Sequence, residues 1–321
     1  MSGAAGLPPA ARAIRQGDRR ALARTITAVE NGDPSAGPVV RALYPGTGRI
    51  PMVGLTGPLG VGKSSLLSAL VGLLRAQGKT VGAIAVDPSS PYSGGSVLGD
   101  RIRLERRADD DGVFFRSMAS RGEAGGVAAS TREVARLLEA AGFDVVFVET
   151  VGSGQADVAI REIATTSVVV LVPHLGDEVQ TMKAGLFEIA DVFDVNKADL
   201  PGADIAARDL SDLAAMGKTR DNWSSRVVRT STTAPSGIPD LWEAVLAHER
   251  FLDETGARVA GERRRLAAEI AGRLRDRVGQ EVTERLTQDA ELRRLLDDVV
   301  GRKVDPWSAA DRLYREWYDR R

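Results

Sequence analysis

The feature that most restricts this chain is the run Gly57-Pro58-Leu59-Gly60-Val61-Gly62-Lys63-Ser64-Ser65, which fits the phosphate-loop pattern G-x-x-x-x-G-K-[ST]. It follows a short apolar run, MVGLT, and opens the helical pattern SSLLSALVGLLRAQG, with Gly78 at the C-cap position. A strand, a glycine turn and a helix in that order form the unit in which backbone N–H groups turn inward around phosphate oxygens. The helix N-terminus adds its partial positive charge to such a site. In this pattern Lys63 is placed to reach the β- and γ-phosphates of a nucleotide, and the Ser64 hydroxyl to ligate Mg²⁺.

The rest of the chain supplies the sheet that such a loop needs. Apolar runs of strand length recur as TVGAIAVD, GVFF, DVVFVET, SVVVLVP, DVFDVN and RVVRTS, most of them separated by helical stretches such as GGVAASTREVARLLEAAG. Continuous Val/Ile/Phe runs alternating with amphipathic helices predict a doubly wound, mostly parallel α/β sheet covered on both faces. Three parts are expected: a helical extension over residues 1–48, a phosphate-loop nucleotide-binding domain over 49–254, and a helical arm over 255–321. In the extension, Ile14, Leu22, Ala23, Ile26 and Val29 share one side of a helical segment from about Ala10 to Asn31. In the arm, Leu266, Ile270, Leu274, Val278, Val282 and Leu286 recur every fourth residue, an apolar stripe that either packs on the chain's own core or makes a homodimer contact.

Composition narrows the partners. Lys plus Arg (43) nearly cancels Asp plus Glu (44), so no net field gathers nucleic acid or an anionic membrane. With no cysteine, disulfides, thiolate metal sites and a cysteine nucleophile are excluded. No segment approaches the ~20 apolar residues of a membrane span, and the first residues lack a signal-peptide core, so a cytoplasmic location is expected. The two histidines, His174 and His248, stand far apart in sequence and read as solvated polar residues rather than as a metal pair.

Further candidates lie where the predicted strands end. Asn196-Lys197-Ala198-Asp199 follows DVFDV, and the Asp199 carboxylate is suited to accept from N1–H and the exocyclic amine of guanine, a pattern adenine lacks. Ser231-Thr232-Thr233 follows RVVRT and is placed to support the base through its backbone. Glu149 and Gly152, in Glu149-Thr150-Val151-Gly152, end DVVFVE, where a carboxylate organises a Mg²⁺ shell and a glycine N–H turns to the γ-phosphate. Asp87, before Pro88, and Asp100, in LGDRIRL, complete the candidate metal shell; a turn initiator and a helix N-cap are their alternatives. Gln155 is offset from the position of a water-orienting glutamine.

Taken in order, GPLGVGKSS, VDPSSPYSGGSVLGD, FVETVGSGQ, GDEVQTMKAGLFEIAD and NKAD resemble the MeaB/MMAA/ArgK family of GTPases associated with adenosylcobalamin-dependent acyl-CoA mutases, and the resemblance covers nearly the whole chain. It implies a GTPase core with an amino-terminal helical extension and a carboxyl-terminal dimerisation arm. The implied activity is slow GTP hydrolysis coupled to loading cobalamin onto methylmalonyl-CoA mutase and to protecting or reactivating it. Carried over by the resemblance are Gly57 to Ser65 for phosphate, with Lys63 and Glu149 catalytic. Ser64, Asp87, Asp100 and Glu149 surround Mg²⁺, and Asn196, Lys197 and Asp199 with Ser231 to Thr233 hold guanine. The segment from Asp177 to Lys183 matches the family's mobile, mutase-facing region, where His174-Leu175 here replaces two smaller residues; Thr232-Thr233 likewise stand where an alanine commonly follows the serine. A nickel-type metal-insertion GTPase is the alternative, but it lacks a His- or Cys-rich tract here. An ATP-dependent kinase of amino-acid transport and a purely structural dimer stand behind it.

Overall fold

The computed structural model describes residues 6–87, 110–119, 126–150, 160–173, 188–216 and 222–318. The chain is α/β. Seven strands form one sheet: β1 (Met52–Thr56), β2 (Val81–Asp87), β3 (Val113–Ala119), β4 (Val145–Thr150), β5 (Thr166–Leu171), β6 (Val192–Val195) and β7 (Arg226–Arg229). Every pairing is parallel, in the order β3-β2-β4-β1-β5-β6-β7. β1 therefore lies centrally, with β4 and β5 as neighbours. All strands present their carboxyl ends to the same edge, where loops of such sheets bind ligands.

Each face of the sheet has its own core. Leu66, Leu67, Leu70 and Leu74 of α4 (Lys63–Ala76) pack with Val53, Leu55, Phe147, Val168 and Val170 on one side. On the other, α5 (Gly126–Ala140) joins three helices that precede the sheet, α1 (Pro9–Arg15), α2 (Arg19–Glu30) and α3 (Ala36–Leu43). Ile14, Leu22, Ile26 and Leu43 are buried in the same cluster as Phe114, Val146 and Val148, so the extension completes the sheet's second layer.

The expected helical stretch from Ala10 to Asn31 is two helices. Gly17 adopts φ +83°, which ends α1, and the Asp18 carboxylate accepts from the Arg20 and Ala21 amides to start α2. β3 runs four residues beyond the apolar GVFF, because Arg116 sits in the strand on an ion pair with Glu30 of α2. A second link holds the extension: Glu139 of α5, buried, accepts from the Gly48 amide at 2.7 Å and the Arg49 amide at 2.6 Å, fixing the chain just before β1.

After β6 come α6 (Ala203–Met216) and, following β7, α7 (Ile238–Glu254). His248 on α7 corrects the expectation of a solvated residue. It is 2% exposed, its Nδ1 lies 2.9 Å from the Thr166 hydroxyl and its Nε2 3.5 Å from Asp191, and its ring packs on Trp223. The spacing Leu241, Ala244, Val245, His248, Leu252 puts it on the buried stripe of the helix.

The described chain divides into two compact units, Met1–Arg265 and Leu266–Arg321. The division falls within α8 (Ala257–Gln288). In the second unit, α9 (Ala290–Val300) and α10 (Pro306–Tyr318) bury Leu292, Leu295 and Ala309. Ile270 and Leu274 of the stripe are exposed there, as are Val300, Trp307 and Tyr314. Among the described residues no helix is long and apolar enough to cross a membrane.

Candidate functional site

The loop from Gly57 to Gly62 joins β1 to α4 at the carboxyl edge of the sheet. Its glycines are demanded by geometry. Gly57 has φ +137°, and a Cβ there would meet the Val170 carbonyl oxygen at 2.2 Å. Gly62 has φ +95° and heads α4, and a Cβ there would meet Asn196 Nδ2 at 2.6 Å. Gly60, at φ +80°, needs its backbone freedom but faces open space.

Lys63 is buried, and its Nζ donates to the carbonyls of Gly57 at 2.7 Å and Pro58 at 2.8 Å. The ammonium is thus held against the loop's own carbonyls at the N-terminus of α4. Val61 anchors the loop in the α4 core, whereas Leu59 is exposed. Ser64, on the first turn of α4, donates to Glu149 Oε1 at 2.6 Å. β4 brings Glu149 there, in register with Leu55 of β1. A hydroxyl and a buried carboxylate oxygen side by side form a hard-oxygen pair of the kind Mg²⁺ takes.

The second motif is bolted onto the first. Asn196, just past β6, donates from Nδ2 to the Val61 carbonyl at 2.8 Å. Lys197, at φ +56°, donates from Nζ to the Gly60 carbonyl at 2.9 Å. These two straps span 135 and 137 positions of sequence, and no sequence pattern announces them. Asp199 is exposed and accepts from the Ser231 hydroxyl, with which it forms the rim beyond the loop. Ser231 and Ser236 exchange backbone hydrogen bonds at 3.1 Å and close a turn that presents Thr232 and Thr233. The Ser231 hydroxyl also accepts from the Ala234 amide, which stiffens that turn.

Of the sequence candidates, the sheet brings Gly57 to Ser65, Glu149, Asn196, Lys197, Asp199 and Ser231 to Thr233 to one edge. Asp87 closes β2 at that same edge, in the strand beside β4. Asp100, Gly152, Gln155, His174 and the segment from Asp177 to Lys183 lie outside the described residues. Among the described residues no group of three or more His, Cys, Asp or Glu is arranged to hold a metal ion.

Sequence reasoning missed Asp194 and Thr230. Both are fully buried beneath Asn196, and the Thr230 hydroxyl lies 2.8 and 2.9 Å from the two Asp194 oxygens and 3.3 Å from Asn196 Oδ1. An aspartate inside an otherwise apolar strand run was the available signal.

A family model described as methylmalonyl Co-A mutase-associated GTPase MeaB matches residues 22–287. The chain is similar to a putative GTPase of Pyrococcus horikoshii, 44% identical over 301 residues that cover 93% of this chain and 94% of that one. It is also similar to the mitochondrial methylmalonic aciduria type A homolog of Mus musculus, 36% identical over 197 residues that cover 60% of this chain and 48% of that one. Among solved structures, a crystal structure described as LAO/AO transport system kinase matches with a TM-score of 0.70 at 28% identity, covering 95% of each chain.

Proposed function

The chain belongs to the methylmalonyl-CoA mutase-associated GTPase MeaB family and is a GTPase, and from that premise we propose that it works as a GTP-driven chaperone of an adenosylcobalamin-dependent acyl-CoA mutase, methylmalonyl-CoA mutase, gating cobalamin loading and protecting or reactivating the enzyme. One observation carries this reading. The family match runs from α2 in the helical extension into the long helix α8, well past the nucleotide-binding core that other phosphate-loop proteins share. The name of the mouse relative, which refers to methylmalonic aciduria, supports the same partner.

In this reading the Gly57 to Ser65 loop cradles the phosphates, Lys63 neutralises charge developing on the transferred γ-phosphoryl group, and Asp199 selects guanine, with Asn196, Lys197, Gly152 and the Ser231 to Thr233 turn completing the pocket. Ser64 and Glu149 hold Mg²⁺, with Asp87 and Asp100 completing its shell; the 2.6 Å hydroxyl–carboxylate pair fits that ion. The metal's contribution is to offset phosphate charge. The exposed stripe residues Ile270 and Leu274 are assigned to a homodimer contact, and the protein is assigned to the cytoplasm. Nucleic acid and membrane have no part in this reading.

Single-turnover GTP hydrolysis with and without purified methylmalonyl-CoA mutase tests it. The isolated protein should turn over at about 10⁻² s⁻¹ or slower, the range of GTPases without a completed site, and the mutase should accelerate it by about tenfold or more. Fast turnover alone, or indifference to every cobalamin-dependent mutase, would refute the chaperone role. Preference for ATP would instead favour the transport-kinase reading.

A further inference from the structure

The buried carboxyl of Asp194 stands beneath the site and belongs to none of its assigned roles. Two-residue alternation along β6 places it on the same face as Val192, in the layer formed by α4 and α7. Its strand neighbours are Val170 on β5 and Val228 on β7. The charged and titratable groups on the surrounding elements are engaged elsewhere or exposed. Lys63 bonds the loop carbonyls; His248 meets Thr166 and Asp191; Glu249 is held by Thr165, Thr166 and Arg258; Arg226, Arg229, Asp240 and Glu243 are exposed. Among the described residues, Thr230 is the donor that Asp194 meets.

A proton count then decides the state of this cluster. The Thr230 hydroxyl carries one proton but faces three acceptor oxygens, two of Asp194 and Oδ1 of Asn196. The Asn196 orientation is fixed from its other side, since the Val61 carbonyl only accepts and must meet Nδ2. With Asp194 ionised, the hydroxyl spends its proton on the carboxylate, and Asn196 Oδ1 is left against lone pairs in a buried site. With Asp194 protonated, the acid donates to Thr230, Thr230 donates to Asn196 Oδ1, and Asn196 Nδ2 donates to Val61. Each residue then donates to the next, and the chain runs in one direction into the phosphate loop.

We propose that Asp194 is a positioning residue for guanine nucleotide binding: its carboxyl proton directs the chain from Thr230 through Asn196 to Val61 and so braces the phosphate loop. Burial supports this assignment, because desolvation pushes the Asp194 carboxyl up to about 8 against the opposing pull of the Thr230 hydrogen bond. The consequence is a proton dependence of binding. Nucleotide affinity holds while the acid is neutral and declines as pH rises through its titration, because the ionised carboxylate takes the Thr230 proton away from Asn196.

The proposal rests on the reading that Gly57 to Ser65 and Asn196 to Asp199 take a guanine nucleotide. GDP affinity measured by calorimetric titration from pH 7 to pH 9 tests it in the wild type, D194N and T230V. The side-chain amide that D194N introduces donates at every pH, so the D194N profile should stay flat, while the wild type weakens by up to about fivefold relative to it between pH 8 and pH 9. T230V, which cuts the chain, should bind more weakly throughout and without that pH dependence. The Asp194 carboxyl ¹³C shift in the nucleotide-free wild type supplies a readout independent of any variant and should titrate near 8. Titration of that carbon near the ordinary carboxylate value, or coincident wild-type and D194N profiles, would overturn the role of Asp194 while leaving the guanine site standing. Failure of both proteins to bind GDP at any pH would overturn the site reading and the proposal with it.

Discussion

Replacing Gly62 with alanine separates the two demands placed on the phosphate loop. The residue sits at φ +95°, where an L side chain costs about 1–2 kcal/mol. Its new Cβ would also stand 2.6 Å from Asn196 Nδ2, well inside contact distance, so the amide must leave the Val61 carbonyl. Breaking that buried hydrogen bond costs about 1–3 kcal/mol more, for a total of roughly 2–5 kcal/mol. Gly60→Ala is the internal control. Gly60 shares the left-handed backbone, at φ +80°, but no described atom lies within 4 Å of its Cβ, so only the backbone term of about 1–2 kcal/mol applies. Urea unfolding of the two single variants, and of Gly62→Ala in an Asn196→Ala background, should show Gly62→Ala costing more than Gly60→Ala. That excess should vanish once Asn196 is gone. Equal costs at the two glycines, or an excess that survives Asn196→Ala, would refute the strap between the loop and Asn196.

The other predictions concern chemistry and pH. Lys63→Ala should lower GTP hydrolysis, followed by phosphate release, by about a hundredfold or more while the chain still unfolds cooperatively, because the ammonium is aimed at charge rather than at packing; unchanged turnover would remove Lys63 from the site. Asp199→Asn should move preference from GTP toward xanthosine triphosphate, since a polar pocket rejects a ligand that leaves its groups unpaired by up to ~10⁴, and competition binding reads the switch directly. For stability, Asp194 holds in the folded state a proton that the unfolded chain loses near 3.8, up to a folded value of about 8. Wild-type stability should therefore fall relative to D194N by up to ~1.4 kcal/mol per pH unit from about pH 4 to pH 8 and then level off; parallel curves for the two proteins would contradict a raised carboxyl.

The sequence discloses those parts of this fold whose causes are local. The loop is legible because its glycines answer to backbone angles within a few residues, and the strands because Val and Phe runs announce burial on both faces. β3 outruns its apolar signal because Arg116 is tolerated in the strand by Glu30, a partner 86 positions away. For the same reason Asn196 and Lys197 read as base-binding residues, while their grip on Val61 and Gly60 is not visible: nothing in a linear pattern states which carbonyl a side chain reaches. His248 was hidden by type alone, a polar residue on a helix stripe that the apolar spacing of its neighbours already marked as buried. Asp194 belongs to the same class, since burial of an acid becomes meaningful only when its surroundings are known.

The strand order sets a timetable for synthesis. β1 pairs only with β4 and β5, so the centre of the sheet is not flanked on both sides until the chain has grown to Leu171, about 115 residues past Thr56. At typical elongation rates that interval lasts roughly 6 to 23 s. For most of it, MVGLT and both of its backbone edges stay unpaired on a ribosome-bound chain, alongside the glycine loop that follows. With every pairing in the sheet parallel, each neighbour must return over a long crossover, a pattern that slows folding and lengthens exposure to association. The chain would thus pass through an aggregation-prone interval during translation, in which holdase protection of the nascent amino-terminal half has its greatest effect on yield.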